Sequence, residues 1–500
     1  MSSNSGFSLR YYYAGLIAFF AQFASIPFLF FIGTLLCNIT TAIIAFLCGN
    51  TLFNNQRSGL LAATFIMTLP TVAMGSDLVL YSSLFTPTTL VFPLVLLSFY
   101  FFLQKKILYS ILITGIVSVF HVLIGFEFGV LFLSISLLID IIQKKNWGFI
   151  ARKSGLFFLI FLFLLPNLIP YFQNNHTIEK SEFINILAHY RHPHHYILSE
   201  ILTLKEFLKF IGFSVVFFIV YSRWFQRSSN SYHKISTLIL FAFLAVSIVL
   251  NWIFIELLPS KLFTSLQLLR LLNIAKFIFL LLTADYLIKS IEQKMYDLRF
   301  FLSGLIIVLL IIFSGISILK VFVSLSLFVL LMVFTIRSYR VLATSVFVTI
   351  VTTIIIANNI NHVKLTKYQK SYFSTSSNSI QSDLTEFILK NTMQQSVLLV
   401  PHDFGFIRTE AQRAIVVDFK AFPFQDKAML EWYKRIKDCY GLNKQNFEQY
   451  YKTLNDEKII ALKNLYAFDY AILHQETVSK FPVIFSNSEY KIIDLTSYDQ

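Results

Sequence analysis

Between Arg10 and Arg57 the chain carries no charged residue, and uncharged apolar runs of similar character recur through its first 358 positions. A bilayer core about 30 Å thick takes roughly 20 apolar residues per helix, and within it every backbone N–H and C=O must be bonded inside the segment. Such runs therefore point to a polytopic α-helical membrane protein. The composition agrees: 56% of the 500 residues are hydrophobic, 14% are charged, and the mean hydropathy is +0.67, values outside the soluble range.

The first apolar stretch, 11–24, is short for a span and breaks at Ser25 and Pro27, so it is read as a short spanning or interfacial helix, followed by a clear span ending at Phe53. Further spans are expected at 57–74, 88–104, 107–121, 126–142, 154–172, 208–224, 236–256, 264–288, 300–319, 321–336 and 341–358. That makes about 12 spans, or about 13 with the first. Arg57, Lys105 and Lys106, Lys144 to Lys153, Arg223 to Lys234, Lys289 to Arg299, and Arg337 with Arg340 fall on alternate connections. The positive-inside rule places those connections in the cytoplasm. The opposite side then receives 75–87, the turn near His121, 173–207, 257–262 and everything after the last span. The apolar run after Arg10 is too long for a signal-peptide core, so no cleavable signal is expected. No internal repeat is visible.

The formal charge of +14 is unevenly spread. Residues 1–358 carry 24 Lys and Arg against 11 Asp and Glu, whereas 359–500 carry 17 against 16. The excess is accounted for by cytoplasmic connections, so no nucleic-acid partner is expected. Cys37, Cys48 and Cys439 form neither an even framework nor a metal-ligand spacing.

The composition changes at Asn358 and Asn359. The expected domains are a transmembrane helical domain, 1–358, with a long outer loop at 173–207; a linker, 359–382; and a small extracytoplasmic α/β domain, 383–500. Within the last, strands are expected at 396–401 (SVLLVP), 413–418 (RAIVVD) and 470–474 (YAILH), then a hairpin, PVIFS-NSE-YKIIDL. Helices are expected at 383–391, 427–439, 445–454 and 456–467. Short apolar strands alternating with helical segments describe an α/β layer.

In the outer loop, residues 190–196 read YRHPHHY, and with His189 four of the ten histidines fall in seven positions. Histidine exchanges protons near neutrality, binds metal, or grips phosphate when charged, and Arg191 adds a forked donor suited to phosphate. Pro193 fixes the backbone between the flanking histidines. His192, His194 and His195 are therefore catalytic candidates and Arg191 a phosphate-binding one. Two other readings stay open: a solvated loop at headgroup level, and a metal site, which lacks Cys or carboxylate partners at ligand spacing.

Arg270 and Lys276 lie inside the apolar stretch LQLLRLLNIAKFIFLLL. Ionisable groups at such depth face a cavity or a partner, which makes both candidates for holding a lipid-linked phosphate. The plainer readings are pairing with a carboxylate or snorkelling. Asp77 and Glu127 are candidate general bases, with Glu182, Glu200 and Glu206 beside the histidine block; His121 precedes Glu127 by six residues across a turn. In the C-terminal domain, the stretch QRAIVVDFKAFPFQDKAMLEWYKRI places Arg413, Asp418 and Lys420 around a strand end, where α/β sites form. A buried network orienting a loop is the competing reading. No Gly-rich phosphate loop, nucleophile elbow or zinc signature occurs, so no metal site is expected and the cofactor is unknown.

The blocks YRHPHHY and RAIVVDFKAFPF…LEWYKRI resemble those of an uncharacterised family of bacterial multi-spanning membrane proteins that end in an extracytoplasmic domain of unknown function. The layout, with many spans, a long outer loop midway and a C-terminal α/β domain, also resembles the GT-C class of membrane glycosyltransferases. That resemblance implies the bacterial inner membrane, a polyprenyl-phosphate sugar as partner, and sugar transfer at the outer face in envelope or exopolysaccharide assembly. The GT-C pattern places an acidic residue in the first outer loop, but no Asp or Glu precedes Asp77. Either a first span is missing, or the base lies elsewhere, or the chain is not an active transferase. The alternatives carried forward are a polymerase or ligase of lipid-linked glycans, and a transporter or non-catalytic membrane protein.

Overall fold

The computed structural model describes residues 11–68, 85–173, 178–201, 203–293 and 379–498. The spans expected at 300–319, 321–336 and 341–358, most of the linker, and Asp77 lie outside the described residues. The chain divides into two compact units, one built on Leu9–Ile169 with Glu179–Leu365, the other on Pro170–Ile178 with Thr366–Gln500.

The first unit is helical. Five of its helices are long and apolar enough to cross a membrane: Ile26–Phe53, Val122–Ile142, Trp147–Ile169, Ser231–Leu257 and Lys261–Ser290. Shorter apolar helices cover Tyr11–Phe20, Pro87–Leu103 and Ile107–Phe120. Local chemistry explains several boundaries. Pro27 sits in the first turn of Ile26–Phe53, where its missing N–H costs nothing. Asn54 ends that helix in the left-handed conformation, φ 49°, a short polar side chain being one of the few that tolerate it. A Cβ on Gly49 would lie 2.8 Å from the Gly59 Cα, so the next helix, Gln56–Thr68, crosses at backbone distance as small residues permit.

Lys261–Ser290 is the central helix, its most apolar stretch entirely buried. Phe277 meets Phe99 edge to face at 6.1 Å and Phe279 lies 4.3 Å from Phe213. By contrast, Phe31, Leu35, Ile39 and Ile43, and Phe158, Phe161, Leu162 and Leu165, form exposed apolar stripes. Such continuous stripes suit an apolar surrounding. Polar contacts gather near helix ends: Asp285 accepts from Ser58 at 2.9 Å and pairs with Lys289 at 3.0 Å, Arg57 reaches Glu292 at 3.0 Å, and Lys153 pairs with Asp140.

Much of the segment expected as a long outer loop is helical. Lys180–Ile184 continues into a π-helical turn, Asn185–Arg191, then two short helices, Pro193–Tyr196 and Leu198–Ile201. Ile186, Leu187, Ala188, Tyr196 and Ile197 are buried. The apolar residues that flank the histidines account for this, packing the block into the helical unit.

The second unit holds a five-stranded mixed sheet, β1 (Val397–Leu399), β2 (Ala414–Ile415), β3 (Tyr470–His474), β4 (Val483–Ser486) and β5 (Tyr490–Asp494), in the order β2-β1-β3-β5-β4. β1 pairs in parallel with β2 and β3; β5 runs antiparallel to β3 and β4. The helices are Ser379–Asn391, Asp426–Tyr440, Phe447–Lys452 and Asp456–Tyr466, with a short one at Ile407–Glu410. Leu384, Ile388, Leu398, Phe404, Ile472 and Ile492 make its core.

Candidate functional site

The helical unit brings together charged and polar groups from four distant segments. Val122–Ile142 begins after a sharp break at His121, whose ring Nδ1 faces the Ile124 N–H at 3.5 Å as a cap. The break is tight because Gly125 has no side chain: a Cβ there would meet the Ser118 backbone nitrogen at 2.3 Å. Glu127 follows within the next turn and a half. It is 5% exposed, and neither carboxylate oxygen has a hydrogen-bond partner among the described residues. Arg270 exerts an opposite charge on it.

Arg270 stands on an interruption of the central helix. Gln267 takes the left-handed conformation, φ 53°, and Leu268–Leu271 forms a 3-10 turn before the helix resumes. A left-handed glutamine is strained, and a broken helix within an apolar span is tolerated where it lines a site or is bonded by neighbours. Both bonds are visible here. The Gln267 side-chain amide donates to the Tyr196 hydroxyl, and Asn273 Nδ2 donates to the Arg270 carbonyl at 2.8 Å. Arg270 remains half-buried, its Nε having no partner among the described residues.

Arg270 Nη1 lies 3.4 Å from His121 Nε2. A neutral imidazole has one donor nitrogen and one acceptor. It can accept either the Ile124 N–H or the Arg270 N–H, so one of these two long contacts is donor against donor. The guanidinium is thus only loosely held on that side.

Tyr196 closes the cluster and ties in the histidine block. Its ring is fully buried, its carbonyl accepts from Asn251 Nδ2 at 2.8 Å, and its hydroxyl accepts from the Gln267 side-chain amide within the electrostatic reach of Arg270 and Glu127. Burial pushes that hydroxyl above the usual phenol range against the pull of Arg270, so it acts as a neutral donor and acceptor. Nearby, the Leu198 N–H donates to Glu256 at 2.7 Å, anchoring the block to a second π-helical turn, Trp252–Leu257. π-turns are uncommon and concentrate at functional sites; two of them and one broken helix surround this cluster.

Unmet acceptors dominate the inventory. Besides both oxygens of Glu127, the side-chain oxygens of Asn251, Gln267 and Asn273 are buried without a partner among the described residues. A ligand that satisfied them would donate hydrogen bonds, as hydroxyl groups do, while Arg270 offers positive charge.

The other candidates fall as follows. His192 and His195 are half-buried and stack on one another, centroids 5.1 Å apart, while Arg191 is half-buried and His189 exposed. The His194 side chain lies outside the description. Lys276 is 3% exposed, buried among the helices. Arg413 is engaged internally: it donates to the Thr392 hydroxyl at 2.9 Å and to the carbonyls of Thr392, Leu389 and Ala411 at 2.6, 3.0 and 3.1 Å. Those bonds leave it little capacity for a ligand. Asp418 accepts from the Lys420 N–H at 2.8 Å and pairs with Arg408 at 3.2 Å, while the Lys420 side chain is exposed.

Tyr196, Gln267, Asn251 and Asn273 were not singled out from the sequence as site residues. The signal for three of them was present: each is an amide inside an otherwise apolar span.

Residues 381–439 match a protein family described as a domain of unknown function (DUF6798). No curated protein matches the chain.

Proposed function

We propose that this chain is an integral membrane glycosyltransferase of GT-C type that uses a lipid-phosphate-linked sugar, with Glu127 and Arg270 at its centre. One observation carries the reading: a buried carboxylate without a hydrogen-bond partner among the described residues, coupled to a half-buried guanidinium on a broken helix. In the proposed reaction the acceptor oxygen bonds to the anomeric carbon as the bond from that carbon to the phosphate oxygen breaks. The electron pair leaves with the phosphate, where Arg270 stabilises the growing charge. The acceptor's proton passes to Glu127, and the surrounding amide oxygens accept from sugar hydroxyls. This reading puts the base at Glu127 in the absence of an acidic residue before Asp77.

The test is transfer from a radiolabelled polyprenyl-phosphate hexose by the purified full-length chain in lipid nanodiscs. Glu127→Gln should keep donor binding and lose transfer by about a hundredfold or more, whereas Arg270→Ala should weaken donor binding about tenfold or more. Absence of both binding and transfer by the wild-type chain rejects the proposal.

The broken helix favours a second reading, since discontinuous helices also build substrate sites in transporters. A wild-type chain that binds the lipid-linked sugar and moves it between leaflets without forming a glycosidic product would establish that reading instead.

A further inference from the structure

The sheet order in the C-terminal unit has a chemical consequence. The chain leaves β1 for β2 on one side and then crosses to β3 on the other. Where neighbouring parallel strands send their connections in opposite directions, the loops diverge and leave a crevice beyond the carboxyl ends of the strands. Here that crevice lies between β1 and β3. Past the end of β1 the chain reaches His402 and Asp403, and the last residue of β3 is His474. Glu448, on the helix Phe447–Lys452, comes to the same place.

These side chains converge closely. One ligand atom from each of His402, Asp403 and Glu448 lies within 4.8 Å of the others. His402 Nδ1 is 3.8 Å from Glu448 Oε2, and His474 Nε2 is 2.9 Å from Glu448 Oε1. Both ring nitrogens are buried yet make no hydrogen bond among the described residues, the His474 approach being close but poorly aimed. Aromatic rings hold the imidazoles: Phe447 lies 5.7 Å from His402, and Tyr490 lies 5.2 Å from His474. Asp403 is exposed, which keeps the crevice open on one side.

We propose that His402 Nδ1 and the carboxylates of Asp403 and Glu448 bind a divalent transition-metal ion of the zinc class, with His474 steadying the second oxygen of Glu448. Donors about 2.1 Å from a tetrahedral ion stand roughly 3.4 Å apart, so small side-chain rotations close the site. One imidazole and two carboxylates suit zinc and its neighbours better than a soft thiolate metal. Three protein ligands leave a position for water or an oxygen-bearing ligand, the pattern of reactive or substrate-binding zinc and not of a closed structural site. A histidine beside a ligating carboxylate is the outer support such sites need. Lys452, 3.8 Å from Glu448 Oε1 and 3.4 Å from Glu476, offers Glu448 a counter-charge when no ion is bound and can swing to Glu476 when one is.

The test is zinc binding by the full-length chain, its purification tag removed, in detergent after chelator treatment. One Zn²⁺ per chain is expected by calorimetry and elemental analysis. Binding should weaken at least tenfold in His402→Ala and in the isosteric Glu448→Gln, and remain unchanged in the double variant His192→Ala/His195→Ala. In the wild-type chain Co²⁺ should give visible d–d absorption, whose loss in Glu448→Gln reports ligation independently of affinity. No stoichiometric uptake, no Co²⁺ band, or uptake that survives both first substitutions and disappears in the histidine-block variant would each overturn the assignment.

Discussion

The Gln267 side chain donates its amide hydrogen to the hydroxyl of Tyr196 while the Gln267 backbone is held left-handed. The bond joins the interruption in the central helix to the buried end of the histidine block, 71 residues earlier in the chain. Arg270 is placed by that interruption, because its N–H bonds the Gln267 carbonyl at 2.9 Å within the tight turn. The position of the guanidinium therefore depends on a tyrosine in a different segment.

Gln267→Ala should lose the bond to Tyr196 and keep the left-handed strain, costing about 2 kcal/mol. Gln267→Gly loses the same bond but relieves the strain, so it should cost less. Thermal unfolding in detergent compares the two; equal losses would show that backbone strain contributes nothing there.

Removing Arg270 strands a buried carboxylate. Arg270→Met should destabilise the helical unit by about 3 kcal/mol, and adding Glu127→Gln should recover most of that loss, because the uncompensated charge is what costs. A double variant as unstable as Arg270→Met alone would show that the two charges do not interact.

The turn at His121 leaves no room beside Gly125. Gly125→Ala should force the helix start away from the Ser118 backbone, at a cost of about 1–3 kcal/mol. Because Glu127 lies two residues on, any lipid-linked ligand should also bind more weakly. A normal melting temperature with normal binding would contradict the close approach.

Arg413 serves as an internal connector. Arg413→Ala exposes no ligand site but leaves the carbonyls of Leu389, Thr392 and Ala411 short of donors, so unfolding of the C-terminal unit should become easier by about 3 kcal/mol. Lysine, with its single ammonium point, should restore only part of this. Unchanged stability after Arg413→Ala would argue otherwise.

Tyr466 gives the same unit an alkaline limit. Burial and its hydrogen bond to Asp438 at 2.6 Å hold the phenol neutral well above its usual range. The folded state thus keeps a proton that the unfolded chain releases near pH 10. Its contribution is complete below that pH and declines as pH rises past it. Chemical denaturation between pH 8 and about 11 should show this decline, flattened in Tyr466→Phe; identical slopes would exclude the group.

Among the described residues, several elements were legible in the sequence because their signals are local. The apolar stretch 126–142 became the helix Val122–Ile142, and YAILH became β3 residue for residue; each depends on periodicity within one segment. Glu127 and Arg270 stood out in the same way, as charges in apolar surroundings. Their association did not, nor did the roles of Tyr196, Gln267 and Asn251, because packing of distant helices decides which buried polar groups meet. The histidine block read as a polar loop, yet Ile186, Leu187 and Tyr196 drew it into the helical packing. His402, Glu448 and His474 carry no ligand spacing along the chain; only the parallel pairing of β1 with β3 brings them to one crevice. Sequence determined which segments could be buried and which residues would be costly to bury. Tertiary structure decided how those costs are met, because hydrogen bonds and charges act over a few ångströms in space irrespective of distance along the chain.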